Sequence, residues 1–138
     1  MKLKNQKGAA VVEFALIAVL LFWLLFGIIE FSICLYDKQM ITNASREGAR
    51  YGILADSPKK TIPEIKQKVK DYARQYLVTF SSDKLEDDDI SIARTGSGSS
   101  FGDDLTVTVN YQYNFLVLPR FVDGLLGNIK ATTVMKYE

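Results

Sequence analysis

The chain has 138 residues, with 17 basic side chains, 16 acidic side chains and no histidine, so its formal net charge is +1. A nucleic-acid partner would require a basic patch or stripe, which this balance does not favour. Without histidine the chain lacks the commonest general base and metal ligand, so we expect neither an enzyme nor a bound metal or other cofactor. The length allows one domain, or one small domain with an appended segment.

A leader with three lysines, MKLKNQKG, precedes a long apolar segment in which only Glu13 and Glu30 are charged. About 20 apolar helical residues cross a bilayer, and residues 14–36 are predicted to be transmembrane. The positive-inside rule places the N-terminus in the cytoplasm and the rest of the chain outside the cytoplasmic (inner) membrane. A cleaved secretory signal is the alternative, but its apolar region would be shorter and followed by a small-x-small site.

Glu13 lies one turn inside the apolar segment, where an ionisable side chain is costly and often functional. The alternative is that it lies at the headgroup level and reaches water. It belongs to GAAVVEF, which directly follows the leader and resembles the processing site of type IV prepilins. This resemblance implies that a prepilin peptidase cuts between Gly8 and Ala9. Glu13, followed by Phe14, would then be the fifth mature residue and would pair with the α-amino group of an adjoining subunit.

Two further motifs extend this resemblance: FGIIEF at residues 26–31 and NASREGARYG at residues 43–52. Together they resemble the TadE-like minor pilins, or pseudopilins, of Tad (Flp) pilus systems. The C-terminal VMKYE is also similar to TadE tails. The major Flp pilin is a poorer match, because it is shorter and often has tyrosine where this chain has Phe14. The implied partners are the prepilin peptidase, other Tad pilins and minor pilins, the Tad inner-membrane assembly platform and membrane lipid.

The second motif contains small residues at every fourth position, Ala44, Gly48 and Gly52, which permits close approach by another element. With the neighbouring charges it forms a candidate helix-docking surface made of Arg46, Glu47, Gly48 and Arg50. Glu47 is spaced to pair with Arg50 at i,i+3. A solvated helix face is the alternative. Glu30 also has two interpretations, as a marker of the outer membrane boundary or as a pairing residue in the assembly.

The first helix is predicted to extend over residues 9–57, to the approach of Pro58. A second helix begins at Thr61-Ile62-Pro63-Glu64, which fits a capping box with an early proline. Its apolar face is predicted to pack on a sheet and comprises Ile65, Val69, Tyr72, Ala73, Tyr76 and Leu77.

Three strands are predicted, at residues 90–94, 105–115 and 129–137, and the second alternates strictly between apolar and polar residues. A Gly/Ser-rich loop, residues 95–102, should join the first two strands as a long hairpin connection. The apolar connection 115–127 covers the sheet or faces a partner. The acidic run 86–89 has the composition of a cation site, but it lacks the ligand spacing of an EF-hand, so a solvated loop is expected.

These features predict an α+β, pilin-like protein with a leader (1–8), a long helix (9–57) and an extracytoplasmic domain (58–138) packed on the outer part of that helix. The resemblance implies a minor pilin that takes part in assembly or priming of a Tad pilus, either in the cytoplasmic membrane or in the extracellular pilus. One rival is a signal-anchored extracytoplasmic binding module that retains its leader. Another is an extracytoplasmic enzyme based on Asp and Glu, which is disfavoured because no carboxylate pair can be assigned to a pocket.

Overall fold

The structure is a computed structural model that describes residues 4–54, 58–78, 85–96, 101–118, 124 and 126–137. Two helices are followed by three strands: α1 (Lys4–Gly52), α2 (Ile62–Tyr76), β1 (Ile90–Arg94), β2 (Asp104–Gln112) and β3 (Asn128–Lys136). The predicted α+β class is therefore confirmed.

Helix α1 has 49 residues and includes the described part of the predicted leader. It ends at Gly52, whereas the sequence indicated a helix to about residue 57; residues 55–57 lie outside the described part. The helix is long and apolar enough to cross a membrane, and no residue of its most apolar stretch is buried within the chain.

Helix α2 begins with the predicted capping box. The Thr61 side chain accepts a hydrogen bond from the Glu64 N–H at 3.4 Å, and Glu64 Oε2 accepts one from the Thr61 N–H at 2.6 Å. These bonds satisfy two backbone donors that the helix itself cannot pair. The Thr61 N–H, and then its hydroxyl, hold the pKa of Glu64 below its usual value.

Helix α2 packs mainly against α1 and approaches the sheet at a few positions of β1, so the prediction that its apolar face packs on the sheet is confirmed only in part. Ile65, Val69 and Ala73 are its buried residues. The reason is that Gly48 of α1 has no side chain, so Val69 and Ile65 of α2 fit directly against the α1 backbone.

The three strands form one antiparallel sheet in the order β1-β2-β3, with Ile92 opposite Val107 and Val109 opposite Ala131. The predicted alternation of β2 is confirmed: Leu105, Val107, Val109 and Tyr111 are buried. The predicted strand extended to residue 115, whereas β2 ends at Gln112; the alternation of burial nevertheless continues through Tyr113 and Phe115. The β1–β2 connection closes with a hydrogen bond from the Thr95 N–H to the Asp104 carbonyl at 3.0 Å, and residues 97–100 lie outside the described part.

The sheet lies alongside the outer half of α1, residues 30–52. This half contacts β2 and β3. β2 runs antiparallel to the helix. Its first residues lie near the end of α1, where Leu105 meets Gly52, and the segment after β2 reaches Glu30, which binds residues 116–118. The core is therefore formed between this half of α1, α2 and one face of the sheet.

Candidate functional site

The predicted processing segment lies on an uncovered stretch of α1. Gly8 and Ala9 are helical and exposed, and a Cβ atom at Gly8 would meet nothing within 4 Å. Phe14 is 71% exposed. Glu13 is also exposed, and within the described part of the chain it makes no hydrogen bond or ion pair. This geometry leaves all four predicted residues accessible to another protein.

The uncovered stretch continues through the apolar segment, whose large hydrophobic side chains from Val11 to Ile29 are between 45% and 71% exposed. Soluble monomers rarely expose continuous apolar surfaces of this kind, and such surfaces usually mark contact with a membrane or a protein. The inner part of α1 thus has no apolar environment of its own.

The candidate docking residues are divided between two faces of α1. Gly48 is buried against α2, whereas Arg46 and Arg50 are exposed. Glu47 is half-buried and binds Arg50 through two hydrogen bonds of 3.0 and 3.1 Å, as the spacing predicted. Lys68 of α2 lies 3.7 Å from the same carboxylate. The four residues therefore do not form one continuous surface, and a docking role toward another subunit stays a prediction.

The small-residue stripe is occupied within the chain itself. Ala44 is fully buried. A Cβ atom at Gly48 would overlap Val69 Cγ2, and one at Gly52 would overlap Leu105 and lie 2.7 Å from Ile65 Cδ1. The stripe is thus where α1, α2 and β2 approach most closely.

Glu30 has a role that neither sequence-based interpretation included. Its side chain is 5% exposed and accepts hydrogen bonds from three successive backbone N–H groups, those of Leu116, Val117 and Leu118, the last two at 3.0 Å. Leu118 packs over Gly27, one turn before Glu30. The carboxylate therefore fixes the segment after β2 to the middle of α1. The sequence could not identify these donors, because backbone N–H groups leave no signal in it.

Three buried polar side chains lie near Glu30. Cys34 is buried, and Asp37 is fully buried, with Oδ1 accepting a hydrogen bond from the Val78 N–H at 3.0 Å. Burial, together with the nearby Glu30, Asp37 and Cys34, raises the pKa of Tyr113 to about 12. Sequence reasoning missed Asp37, which ties the chain just after α2 to α1.

The acidic run 86–89 makes contacts within the chain. Asp87 forms an ion pair with Lys70 at 2.5 Å, which lowers the pKa of Asp87. Asp89 accepts a hydrogen bond from the Glu86 N–H at 2.9 Å. Among the described residues, no group of three Cys, Asp or Glu side chains is close enough to hold a metal ion.

Comparison with protein families assigns the segment that contains these residues. The family model described as "TadE-like protein" matches residues 8–50. Residues 8–50, about a third of the chain, are therefore similar to TadE-like proteins. The match includes the Gly8–Phe14 segment, Glu30 and the four candidate docking residues, and it ends two residues before the end of α1. No curated protein and no solved structure matches the chain.

Proposed function

We propose that this TadE-like chain is a minor pilin that takes part in assembly or priming of a Tad pilus and has no catalytic role of its own. The observation that carries the proposal is that the inner half of α1, residues 8–29, is uncovered. The family match begins at the first of these residues, Gly8, and Glu13 has no partner in the described part of the chain.

The apolar surface from Val11 to Ile29 needs an apolar environment. Before assembly the membrane supplies it, since the segment is long enough to cross a bilayer. After assembly the corresponding helices of other pilins supply it. A change from lipid to protein surroundings requires the whole subunit to leave the membrane. A rigid helix that continues from the membrane into the folded domain allows this, because the domain moves as one body with its anchor.

Glu13 is the residue that favours assembly over simple anchoring. A carboxylate inside an apolar bundle requires a positive partner, because an unpaired buried charge is strongly destabilising. Cleavage between Gly8 and Ala9 would create such a partner, the α-amino group of a neighbouring subunit. The prepilin peptidase is therefore the first proposed partner, and other Tad pilins and the inner-membrane assembly platform follow.

The decisive measurement is the intact mass and N-terminal sequence of the membrane-extracted protein, from cells with and without the peptidase. The mature chain should begin Ala-Ala-Val-Val-Glu only when the peptidase is present. Gly8→Phe should block processing without disturbing the fold, because no described atom lies within 4 Å of a Cβ at this position. Retention of Met1 or Lys2 in piliated cells would contradict the proposal and favour a signal-anchored binding module.

A second experiment tests Glu13 directly. Glu13→Ala should leave membrane insertion intact, because removing a charge favours insertion, but it should strongly reduce piliation. Val12→Ala is the matched control, since Val12 is a neighbouring side chain that is 60% exposed and carries no charge. Normal piliation in Glu13→Ala cells would show that Glu13 only reaches toward water.

A further inference from the structure

We infer that the segment after β2, residues 115–118, lies in the lipid leaflet on the side of the folded domain, so that this domain is partly immersed in the membrane. The inference depends on the membrane anchoring included in the proposed function, but it concerns a different part of the chain. The partner is phospholipid, and the contact surface consists of the exposed side chains of Leu116 and Val117 and a groove beside Leu118.

The position of the segment along α1 is the first argument. A hydrocarbon core needs about 20 helical residues. If the core begins directly after the leader lysines, at Gly8, its twentieth residue is Gly27; if it begins after Glu13, at Phe14, its twentieth residue is Ile33. Either choice puts the domain-side boundary in the interval from Gly27 to Ile33. Residues 116–118 contact α1 within this interval, at Gly27 and Glu30.

The chemistry of the segment is the second argument. Leu116 is 71% exposed and Val117 is 39% exposed. Positions this exposed could carry polar side chains if they faced water, but both carry apolar ones. Residues 115–118 contain no charged side chain. Their exposed apolar surface is continuous with that of the neighbouring turns of α1 through the contact of Leu118 with Gly27. The same apolar environment that α1 requires therefore also covers these side chains.

The backbone hydrogen bonds are the third argument. Irregular backbone is not stable in hydrocarbon when its N–H groups are unpaired, because each unpaired group costs several kcal/mol. The N–H groups of residues 116–118 are all paired with the Glu30 carboxylate. The pairing also satisfies Glu30, an acid that would otherwise be costly at the edge of the membrane. Each partner thus lowers the cost of placing the other in lipid.

A shallow groove between α1 and this segment offers space for one acyl chain. It has a volume of about 350 Å³, and its lining includes Trp23, Leu24, Gly27, Phe31 and Leu118. Ser32 is the polar residue of the lining, which is otherwise apolar. The groove is open to the outside beside Trp23, which is 51% exposed. We expect the acyl chain of a domain-side phospholipid to occupy it.

The test uses tryptophan fluorescence of the full-length protein in phosphatidylcholine vesicles that carry brominated acyl chains, which quench only nearby indoles. Trp23 is the single tryptophan of the chain, so the natural protein reports whether α1 is embedded. A Trp23→Phe background then receives either Leu116→Trp or, as the matched control, Phe101→Trp. Phe101 is 88% exposed and lies in the β1–β2 connection, at the opposite end of the sheet.

We expect bromolipid to quench the Leu116→Trp protein at least half as strongly as the natural protein, with a blue-shifted emission maximum, and to leave the Phe101→Trp protein unquenched. If Leu116→Trp is quenched no more than Phe101→Trp while Trp23 is quenched, the inference is overturned and the anchor remains. If Trp23 is not quenched, the anchoring itself fails. A high lipid-to-protein ratio keeps the copies of the protein apart in the vesicles. If a second copy nevertheless covers the indole of Leu116→Trp and prevents quenching, that result also counts against lipid contact. Val117→Trp in the same background serves if circular dichroism shows that Leu116→Trp is not folded.

Discussion

From Gly8 to Ile29, helix α1 contacts almost nothing in its own chain, whereas from Glu30 to Gly52 one of its faces is covered by α2 and the sheet. The two halves differ in side-chain size. The inner half carries large apolar residues around its whole circumference, which is typical of helices surrounded by lipid or by other apolar helices. The outer half carries small residues on its covered face, namely Ala44, Ser45, Gly48 and Ala49, with Arg46 and Arg50 exposed beside them.

The comparison shows how one continuous helix can serve two environments. The outer half is stabilised within the subunit, because small residues let α2 and β2 approach its backbone. The inner half contributes little to the stability of the folded domain and leaves its apolar surface exposed for contacts outside the chain. Glu30 marks the change, since it is the first acid after the uncharged stretch 14–29 and its bonds are made within the chain.

The largest expected difference between the halves is in the free energy of unfolding after the same substitution, isoleucine to alanine, is made in each half. Ile41 is fully buried in the outer half, and Ile17 is 59% exposed in the inner half. Ile41→Ala should lower the free energy of unfolding of the domain by about 2–5 kcal/mol, since it removes buried methyl groups and leaves a cavity. Ile17→Ala should change it by less than about 0.5 kcal/mol. Denaturant unfolding of the full-length protein in mild detergent measures both values. Equal effects would mean that the two halves are not energetically distinct.

Adding side-chain volume at the contact between α1 and α2 should have the next largest effect on the free energy of unfolding. Gly48→Val places a branched side chain where Val69 Cγ2 already lies, and such overpacking typically costs about 1–3 kcal/mol. Ala15→Val is the control, because Ala15 is exposed on the inner half and the added methyl groups meet no packed core. The same unfolding experiment applies. A stable Gly48→Val protein with native helix content would show that α2 can move away from α1 without cost.

At the boundary between the halves, Glu30→Gln should cost about 1–3 kcal/mol, because the amide has only one acceptor oxygen and leaves backbone donors incompletely paired. The effect should be local. Hydrogen exchange should accelerate at the amides of residues 116–118, while the amides of β2 retain their protection. Glu47→Gln is the control, and it should cost at most about 1 kcal/mol because the Glu47–Arg50 pair lies at the surface. If hydrogen exchange at residues 116–118 is unchanged in Glu30→Gln, the Glu30 carboxylate does not fix this segment to α1.

Local patterns predicted much of the fold. The alternation of β2 and the capping box at Thr61 each depend on neighbouring residues, and both were predicted in the correct place. The main packing partner of α2, which is α1, was not predicted, because an apolar face at helical spacing fits a sheet and another helix equally well. The Glu30 and Asp37 contacts were missed for a related reason. Their donors lie 86–88 and 41 residues further along the chain, and backbone N–H groups leave no signal in a sequence.

Tyr113 lies at the same boundary and should give the smallest change at neutral pH. Its side chain is 2% exposed, and its hydroxyl has no hydrogen-bond partner in the described part of the chain. Tyr113→Phe should therefore change the free energy of unfolding by no more than about 1 kcal/mol at neutral pH, and in the stabilising direction, since it removes an unpaired buried hydroxyl.

The effect of Tyr113 should grow in alkaline solution. Its pKa is raised from 10.0 to about 12 in the fold, so the folded state retains the phenolic proton after the unfolded state has lost it. The stability that depends on this proton is fully present below pH 10 and is lost as the pH rises from about 10 to 12, by up to about 3 kcal/mol. Tyr113→Phe should remove this part of the alkaline loss, while the other tyrosines contribute equally in both proteins. Unfolding curves between pH 8 and about 11.5 measure the difference. Parallel pH dependences would indicate that Tyr113 reaches water and that the boundary between the halves is more open than the structure shows.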